Sequence, residues 1–163
     1  MKQPEKTNVM RLLDRAKIPY ESYFYGDTGA ISGVEVAAVL GEDPAAVFKT
    51  LVTVGKSGKY YVFVIPVAKE LDLRRGAAAV GEKNVEMIKQ AELLPLTGYI
   101  HGGCSPIGMK KLFTTTVDAS AALQDTIYFS GGKIGCQVRM RIDDLSKIIP
   151  FTLHALVRTG EEG

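Results

Sequence analysis

The sequence predicts an α+β fold in which a mixed, mainly antiparallel and barrel-like sheet is flanked by helices. Segments of strand-like composition outnumber helical segments, several are joined by short turns, and the two types do not alternate as in a parallel βαβ array. The 163 residues, 46% of them hydrophobic, are sufficient to bury one core. We therefore expect a single domain over residues 1–163.

Apolar residues at helical spacing indicate a first helix that ends before Pro19. These residues are Val9, Leu12, Leu13 and Ala16. Residues 20–25 are rich in aromatic side chains and predict a strand. Ser32 and Glu35 then form the capping-box pattern of a second helix, which Gly41 is expected to end.

The remaining elements follow from similar local patterns. Residues 47–54 and 60–67 predict two strands joined in a hairpin, and Asp72 is expected to cap a helix that runs to about Val80. Further strands are expected at residues 85–88, 112–117, 126–129, 136–142 and 151–157. Short helical segments are expected at residues 89–94, ended by Pro95, at residues 119–123, and at residues 144–149, capped by Asp143.

The segment that contains Gly102 and Gly103 is the first candidate for a functional site. Residues 99–100 suggest a short strand before it, and Ser105 followed by Pro106 is typical of a helix N-terminus. A strand, a glycine turn and a helix start would bring backbone N–H groups together at a point that favours an anion or a developing oxyanion. A tight turn that begins a helix, without any ligand, explains the same residues.

Lys49 is an unusual charge within an apolar strand. In strand alternation it shares one face with Val47 and Leu51, whereas Phe48 and Val52 belong to the other face. If its face is open to water, Lys49 is an ordinary solvated charge. If both faces are covered, its ammonium group requires an anionic or carbonyl partner, and Lys49 becomes a candidate functional residue.

Several familiar catalytic patterns are absent from the sequence. Residues 130–133 lack the spacing of a P-loop and are typical of a hairpin turn. The potential metal ligands His101, Cys104, Cys136 and His154 lack the spacing of a zinc site. Cys104 as a nucleophile would need a base such as His101, and Ser105 is not part of a Gly-x-Ser-x-Gly motif. We therefore predict no metal and no cofactor.

The overall charge and the distribution of apolar residues limit the possible classes of protein. A net charge of +2 permits an RNA partner without requiring one. No apolar run is long enough to cross a membrane, and the first residues do not form a secretory signal. Two cysteines do not make a disulfide framework. We expect a cytoplasmic protein with reduced thiols and no membrane contact.

Three motifs occur in a fixed order along the chain. They are Val47-Phe48-Lys49-Thr50-Leu51, then Thr97-Gly98-Tyr99 leading into Gly102-Gly103-Cys104-Ser105-Pro106-Ile107-Gly108, and then Ile127-Tyr128-Phe129-Ser130-Gly131-Gly132-Lys133. Their order and separations resemble the YbaK/EbsC family, the free-standing members of the prolyl-tRNA editing family. The resemblance extends from about Asn8 to about Ile149.

The resemblance implies the fold of the editing domains and the activity of an aminoacyl-tRNA deacylase. The best-known branch of the family is similar to enzymes that remove cysteine from mischarged Cys-tRNA(Pro). In that branch the thiol of the substrate attacks the ester, so no protein nucleophile is needed. Editing of this kind is required because binding alone discriminates poorly between small side chains.

The resemblance also implies roles for individual residues. Lys49 would hold the terminal ribose or phosphate of the tRNA acceptor end. The backbone of Gly102 and Gly103 would bind the aminoacyl group and stabilise the oxyanion of its ester. The positions expected to contact the substrate are Tyr20, Ser32, Ser105, Ser130 and Gln137.

The chain departs from the cysteinyl branch at several positions. Gln137 replaces an aspartate, Ser32 replaces a pocket aromatic, and Arg139 and Arg141 stand where acidic or neutral residues are usual. Loss of the aspartate could alter how the substrate amine is held. These changes weaken the case for cysteine as the amino acid that is removed, but they do not affect the prediction of the fold.

Two alternatives to a cysteinyl deacylase therefore stay open. One is a deacylase that removes alanine or serine by means of a bound water. The other is a non-catalytic tRNA-binding or regulatory module of the EbsC type. The expected partners are the acceptor end of tRNA(Pro) and, in trans, prolyl-tRNA synthetase.

Overall fold

The computed structural model describes residues 6–159. Within this range the α-helices are α1 (Asn8–Arg15), α2 (Gly33–Leu40), α3 (Leu73–Val80), α4 (Gln90–Thr97) and α5 (Ile142–Leu145). The strands are β1 (Glu21–Phe24), β2 (Phe48–Gly55), β3 (Tyr60–Pro66), β4 (Val85–Met87), β5 (Thr114–Asp118), β6 (Thr126–Ser130), β7 (Cys136–Arg141) and β8 (Thr152–His154). Short 3-10 helices cover Gly26–Thr28, Pro44–Ala46 and Ala119–Leu123.

The strands form two sheets. The smaller sheet is antiparallel with the order β1-β7-β6, and the larger has the order β4-β2-β3-β5-β8, in which β5 lies parallel to β3 and β8. A parallel bridge between Val47 and Tyr128 links the two sheets. The predicted mixed, mainly antiparallel α+β fold is confirmed. The strands do not close into a barrel, because an isolated bridge does not continue either sheet into the other.

Strand β3 is buried on both faces, which explains its uninterrupted apolar sequence. Through Val62 and Val64, one face packs into a core shared with α1 and the smaller sheet. Through Phe63 and Ile65, the other face packs into a second core with α3. A Cβ at Gly76 would lie 3.2 Å from Cζ of Phe63, so glycine allows α3 to approach this face closely.

Local capping signals place α2 and α3 where the sequence predicts them. Ser32 Oγ accepts a hydrogen bond from the Glu35 amide at 3.2 Å, and Glu35 Oε1 accepts one from the Ser32 amide at 3.1 Å. Gly41 ends α2 in the left-handed conformation, with φ of 68°. Asp72 Oδ1 accepts hydrogen bonds from two backbone amides in the first turn of α3. These predictions are confirmed.

Residues 99–108 form neither the predicted strand nor the predicted helix. The Tyr99 hydroxyl donates a hydrogen bond to the Ile107 carbonyl at 2.6 Å, and the Ile107 amide donates one to Ser105 Oγ at 3.3 Å. Gly108 then turns the chain with φ of 82°. The prediction of a helix that begins at Ser105 is wrong, because Gly108 leaves the helical conformation within the first turn and the Tyr99 hydroxyl occupies the Ile107 carbonyl.

Helix α4 continues through Pro95, where the sequence predicted its end. The missing N–H of this proline would have paired with the carbonyl of Ala91, so the helix lacks one hydrogen bond in its middle. Gly98, with φ of 86°, ends α4 instead. Its amide donates a hydrogen bond to the carbonyl of Leu94 at 2.9 Å.

The last helix and strand are shorter than predicted. Helix α5 begins at Ile142 and ends at Leu145, so Asp143 lies in its first turn and does not cap it. Carboxylates in a first turn are favourable because they face the positive end of the helix dipole. Strand β8 is limited to Thr152–His154, which pairs in parallel with the end of β5.

Asp118 connects β5 to the segment that follows β8. This side chain is 4% exposed and accepts hydrogen bonds from the Leu156 amide at 2.9 Å and the Ser120 amide at 3.1 Å. Replacing Asp118 with alanine leaves both amides unpaired, so we expect the free energy of unfolding to fall by about 2–4 kcal/mol. Urea denaturation followed by circular dichroism measures this change. The exposed Asp125→Ala is the control, and a loss for Asp118→Ala no larger than for the control would contradict the prediction.

Candidate active site

A cavity of about 300 Å³ lies where α2, β2, the glycine-containing loop and the smaller sheet meet. This volume is at the lower end of the range typical of small-ligand pockets. Most of the wall is apolar, and polar groups come from a few side chains and from the loop backbone. A Cβ at Gly33 would collide with the side chain of Val67, so glycine allows the first turn of α2 to close one side of the cavity.

Lys49 lies on β2 at the edge of this cavity and is half-buried. Within residues 6–159, no hydrogen bond or ion pair joins its ammonium group to another residue. Burial lowers the pKa of Lys49, and the charge of Glu70 opposes that shift. The ammonium group is therefore a partly dehydrated cation that a ligand anion or hydroxyl can satisfy.

The loop around Gly102 and Gly103 packs against the turn between β6 and β7. A Cβ at Gly103 would lie 3.0 Å from both Lys133 Cα and Ile134 N, so the two backbones are in close contact. The Gly103 amide donates a hydrogen bond to the Ile100 carbonyl at 2.9 Å and is not available to a ligand. No residue in the described range accepts a hydrogen bond from the amides of Gly102 or Cys104, both of which line the cavity.

The smaller sheet contributes Ser130 and Gln137, which are paired across β6 and β7 and line the cavity. Ser130 Oγ accepts a hydrogen bond from the Gly132 amide at 3.1 Å. Gln137 is 3% exposed, and its Nε2 donates to Glu42 Oε1 at 3.0 Å. Burial raises the pKa of Glu42, while the amide of Gln137 and the charge of Arg139 act in the opposite direction.

The two cysteines are not activated nucleophiles. Burial raises the pKa of Cys104 to about 12 and that of Cys136 to about 11. Both thiols are therefore neutral at pH 7. Cys104 contributes to the cavity wall as a small apolar side chain, and chemistry at this site has to use another nucleophile.

The family of this chain follows from a match to a domain model. A family model described as an aminoacyl-tRNA editing domain matches residues 29–148, which include the cavity residues on β2, on β6 and β7, and in the glycine-containing loop. The chain belongs to the aminoacyl-tRNA editing domain family. Enzymes of this family are aminoacyl-tRNA deacylases that act on the aminoacyl ester. The resemblance to the YbaK/EbsC family is thereby confirmed.

Known proteins similar to this editing domain agree with the assignment. It is 45% identical over 140 residues to an Enterococcus faecalis protein with the provisional name Cys-tRNA(Pro)/Cys-tRNA(Cys) deacylase EbsC, a match that covers 85% of each chain. A crystal structure described provisionally as a trans-editing enzyme for prolyl-tRNA synthetase superposes with a TM-score of 0.80 at 20% identity, covering 95% of this chain and 100% of that one. A hypothetical protein superposes with a TM-score of 0.85 at 21% identity, covering 93% of this chain and 100% of that one. At these identities the two structures support the fold alone.

The editing domain brings five of the eight predicted site residues to the cavity. They are Ser32, Lys49, Gly102, Ser130 and Gln137. Gly103 and Ser105 are buried beside the cavity and do not line it. Tyr20 lies in a separate shallow depression with Arg139 and Arg141, because β1 is the strand of the smaller sheet that is farther from β6. Tyr20 therefore does not line the cavity of the editing domain.

Three polar residues near the cavity are not among the eight predicted site residues. His101 and Thr50 line it, and Thr50 Oγ1 is buried with no hydrogen-bond partner in the described range. Glu42 lies behind Gln137 and follows the glycine that ends α2. The sequence contains no signal for Glu42, because one carboxylate after a helix-ending glycine is ordinary.

The described part of the editing domain contains no evident metal site. Within residues 6–159, no three His, Cys, Asp or Glu side chains are close enough to hold an ion together. His154, one of the potential ligands considered from the sequence, lies on the edge strand β8. Over the same range, no helix is both long enough and apolar enough to cross a lipid bilayer.

Proposed function

We propose that this enzyme removes cysteine from mischarged Cys-tRNA(Pro), with the thiol of the substrate as the nucleophile. The observation that carries the proposal is the unpaired, half-buried ammonium group of Lys49 in a cavity whose own cysteine is a neutral thiol. Such a site can bind and orient an aminoacyl ester, but it does not provide an activated cysteine. The provisional name of the Enterococcus faecalis relative supports the same substrate.

The chemistry needs only positioning and stabilisation of charge by the protein. The substrate sulfur forms a bond to the ester carbonyl carbon, the bond from that carbon to the ribose oxygen breaks, and the thiol proton is transferred to the ribose oxygen. The product is a four-membered thiolactone, which water then opens to free cysteine. Lys49 would bind the terminal ribose or phosphate, and the free amides of Gly102 and Cys104 are the available donors for the oxyanion.

A second candidate is removal of alanine or serine by a bound water. Thr50 Oγ1 supports it, because this hydroxyl is buried at the cavity without a partner among residues 6–159. A hydroxyl in that state can hold a water molecule. The water would attack the ester carbon, and its proton would pass to the ribose oxygen that leaves.

For the partners, we propose the acceptor end of tRNA(Pro) together with prolyl-tRNA synthetase in trans. A net charge of +2 provides little attraction for the tRNA phosphates beyond those at the acceptor end. A synthetase that already holds the tRNA would raise the effective concentration of the acceptor end near the cavity.

Deacylation of a panel of tRNAs tests the proposed function. The panel contains Cys-tRNA(Pro), Ala-tRNA(Pro), Ser-tRNA and Pro-tRNA(Pro), each with and without prolyl-tRNA synthetase. We expect fastest release of cysteine, and we expect S-methylation of the cysteinyl group to reduce the rate at least about 100-fold, because the nucleophile is removed.

Each result of the panel has a definite meaning. Faster release of alanine or serine, together with cysteine release that is insensitive to S-methylation, would replace substrate-assisted cleavage by the water mechanism. Inactivity on all four substrates with the synthetase present would contradict deacylation as the function of this chain. It would favour a non-catalytic tRNA-binding or regulatory role.

A further inference from the structure

The charged residues of the chain are divided unevenly among the segments that form the cavity. Two basic segments, residues 93–117 and 126–142, contain five Lys and Arg side chains and no Asp or Glu, which gives them a net charge of +5. One acidic segment, residues 18–48, contains five Asp and Glu side chains and no Lys or Arg. The net charge of +2 for the whole chain therefore conceals a strong local asymmetry.

The acidic and basic segments form different parts of the cavity wall. The acidic segment contributes α2, the loop before it and the start of β2, whereas the basic segments contribute the glycine-containing loop and residues of β6 and β7. The two basic segments also pack against each other. A Cβ at Gly132 would lie 3.4 Å from Cε1 of Tyr99, and a Cβ at Gly108 would lie 2.8 Å from the hydroxyl oxygen of the same tyrosine. The basic segments therefore form one continuous surface beside the cavity.

Three exposed lysines on this surface have no anionic partner. Lys110 and Lys111 lie in the connection from α4 to β5, and Lys133 lies in the turn between β6 and β7. Within residues 6–159, no hydrogen bond or ion pair joins their ammonium groups to another residue. Lys110 Cγ would lie 3.3 Å from a Cβ at Gly98, and Lys133 Cα would lie 3.0 Å from a Cβ at Gly103. Both ends of the glycine-containing loop thus carry a free cation.

The two arginines of the basic segments are already paired with carboxylates. Arg139 Nη1 lies 3.4 Å from Glu21 Oε1, and Arg141 Nη2 lies 3.5 Å from Asp143 Oδ2. The positive charge that remains available to an external anion on this surface is therefore that of the three lysines.

We propose that Lys110, Lys111 and Lys133 bind the phosphate backbone of the acceptor stem. The stem then leaves the cavity across the glycine-containing loop and the β6–β7 turn, and not across α2. An RNA whose terminal ribose lies near Lys49 has its next phosphates outside the cavity, where the three lysines attract them and the acidic segment repels them. The inference rests on the proposed function for the identity of the RNA, and it adds the direction from which that RNA approaches.

Binding of an RNA that carries no amino acid tests this surface without depending on catalysis. The probe is a hairpin RNA with the acceptor stem and 3′ end of tRNA(Pro), and fluorescence anisotropy measures its Kd between about 50 and 200 mM salt. We expect the triple variant Lys110→Gln/Lys111→Gln/Lys133→Gln to bind at least about tenfold more weakly at the lowest salt concentration. The slope of log K against log salt concentration should fall in magnitude by about 2–3, because each phosphate contact contributes about 0.9.

The triple variant Lys56→Gln/Lys59→Gln/Lys83→Gln is the matched control. It removes the same charge at exposed positions around the far end of the β2–β3 hairpin. We expect its Kd to stay within about threefold of the wild-type value and its salt slope to be unchanged, because it removes no phosphate contact. Thermal denaturation of both variants establishes that they are folded.

Three results would overturn the inference. They are equal losses of affinity in the two triple variants, no binding of the RNA by about 100 μM wild-type protein, and unchanged RNA binding accompanied by weaker binding to prolyl-tRNA synthetase. The last result would make the surface a docking site for a protein. If the RNA is bound as expected but Cys-tRNA(Pro) is not cleaved, the proposed function fails and the RNA-binding surface stands.

Discussion

Replacing Lys49 with methionine is expected to reduce the rate of deacylation at least about 100-fold, because the site loses an ammonium group that can bind the substrate. Among the described residues that line the cavity, no other is a lysine or an arginine. Methionine has a similar length and an apolar stem, so the cavity should keep its shape. The measurement is the single-turnover rate of cysteine release from Cys-tRNA(Pro). Lys83→Met, an exposed position in the turn before β4, is the control and should keep the wild-type rate.

The same substitution is expected to leave the protein at least as stable as the wild type. Burial of the unpaired ammonium opposes folding, so its removal should raise the free energy of unfolding by about 0.5–2 kcal/mol. In a protein of this size each kcal/mol corresponds to roughly 2–4 °C in Tm. The folded-state pKa of Lys49 lies below its usual value of 10.5, so the wild type gains stability as pH rises from the folded pKa to 10.5. The advantage of methionine should therefore be complete below the folded pKa and should shrink across that interval.

If the Lys49→Met variant is inactive but stable, Lys49 is required for deacylation and not for folding. Two results would contradict this interpretation. One is wild-type activity in the variant, which would mean that the cavity is not the active site. The other is a lower Tm, measured at pH 7, which would mean that the ammonium group has a stabilising partner in the folded protein.

Replacing Gly103 with alanine is expected to reduce activity about 100-fold by displacing the loop, although Gly103 does not line the cavity. The new Cβ would lie 3.0 Å from Lys133 Cα and Ile134 N, and these are backbone atoms that cannot rotate away. The glycine-containing loop and the β6–β7 turn would have to separate. Overpacking of this kind typically costs about 1–3 kcal/mol of stability. The deacylation rate and the urea midpoint measure the two effects.

Gly26→Ala is the matched control for Gly103→Ala. Neither glycine has a positive φ, so alanine introduces no backbone strain at either position. At Gly26 the nearest atom to a new Cβ is Gly135 Cα at 3.8 Å, an ordinary contact. We expect near wild-type activity for Gly26→Ala. Equal activities of the two variants would show that the close contact at Gly103 does not position the loop.

The fold was predictable wherever its signals are local. The capping box of Ser32 and Glu35, the glycine that ends α2 and the cap at Asp72 each act within a few residues, and the structure contains all of them. The interpretation of residues 99–108 failed for the opposite reason. Ser105 resembles a helix cap in sequence, but the Tyr99 hydroxyl binds the Ile107 carbonyl in a contact that no short window reveals.

The candidate site was predictable to the extent that its residues are unusual in their own strands or turns. Lys49 is a charge within an apolar strand, and Gly102 belongs to a distinctive glycine motif. Glu42 could not be predicted, because its significance comes from Gln137, 95 residues later, which faces it only in the folded chain. Gln137 had been interpreted as the loss of a carboxylate. The structure shows that a carboxylate is present next to it, contributed by another element.

The most direct test of the central claim is a crystal structure with 3′-deoxy-3′-(cysteinylamino)adenosine bound. We expect the aminoacyl group in the cavity beside β2, with the ribose of the ligand near Lys49 and the carbonyl oxygen within hydrogen-bond distance of the Gly102 or Cys104 amide. Density for the ligand elsewhere, for example in the depression beside Tyr20 and Arg141, would contradict the assignment of this cavity as the active site.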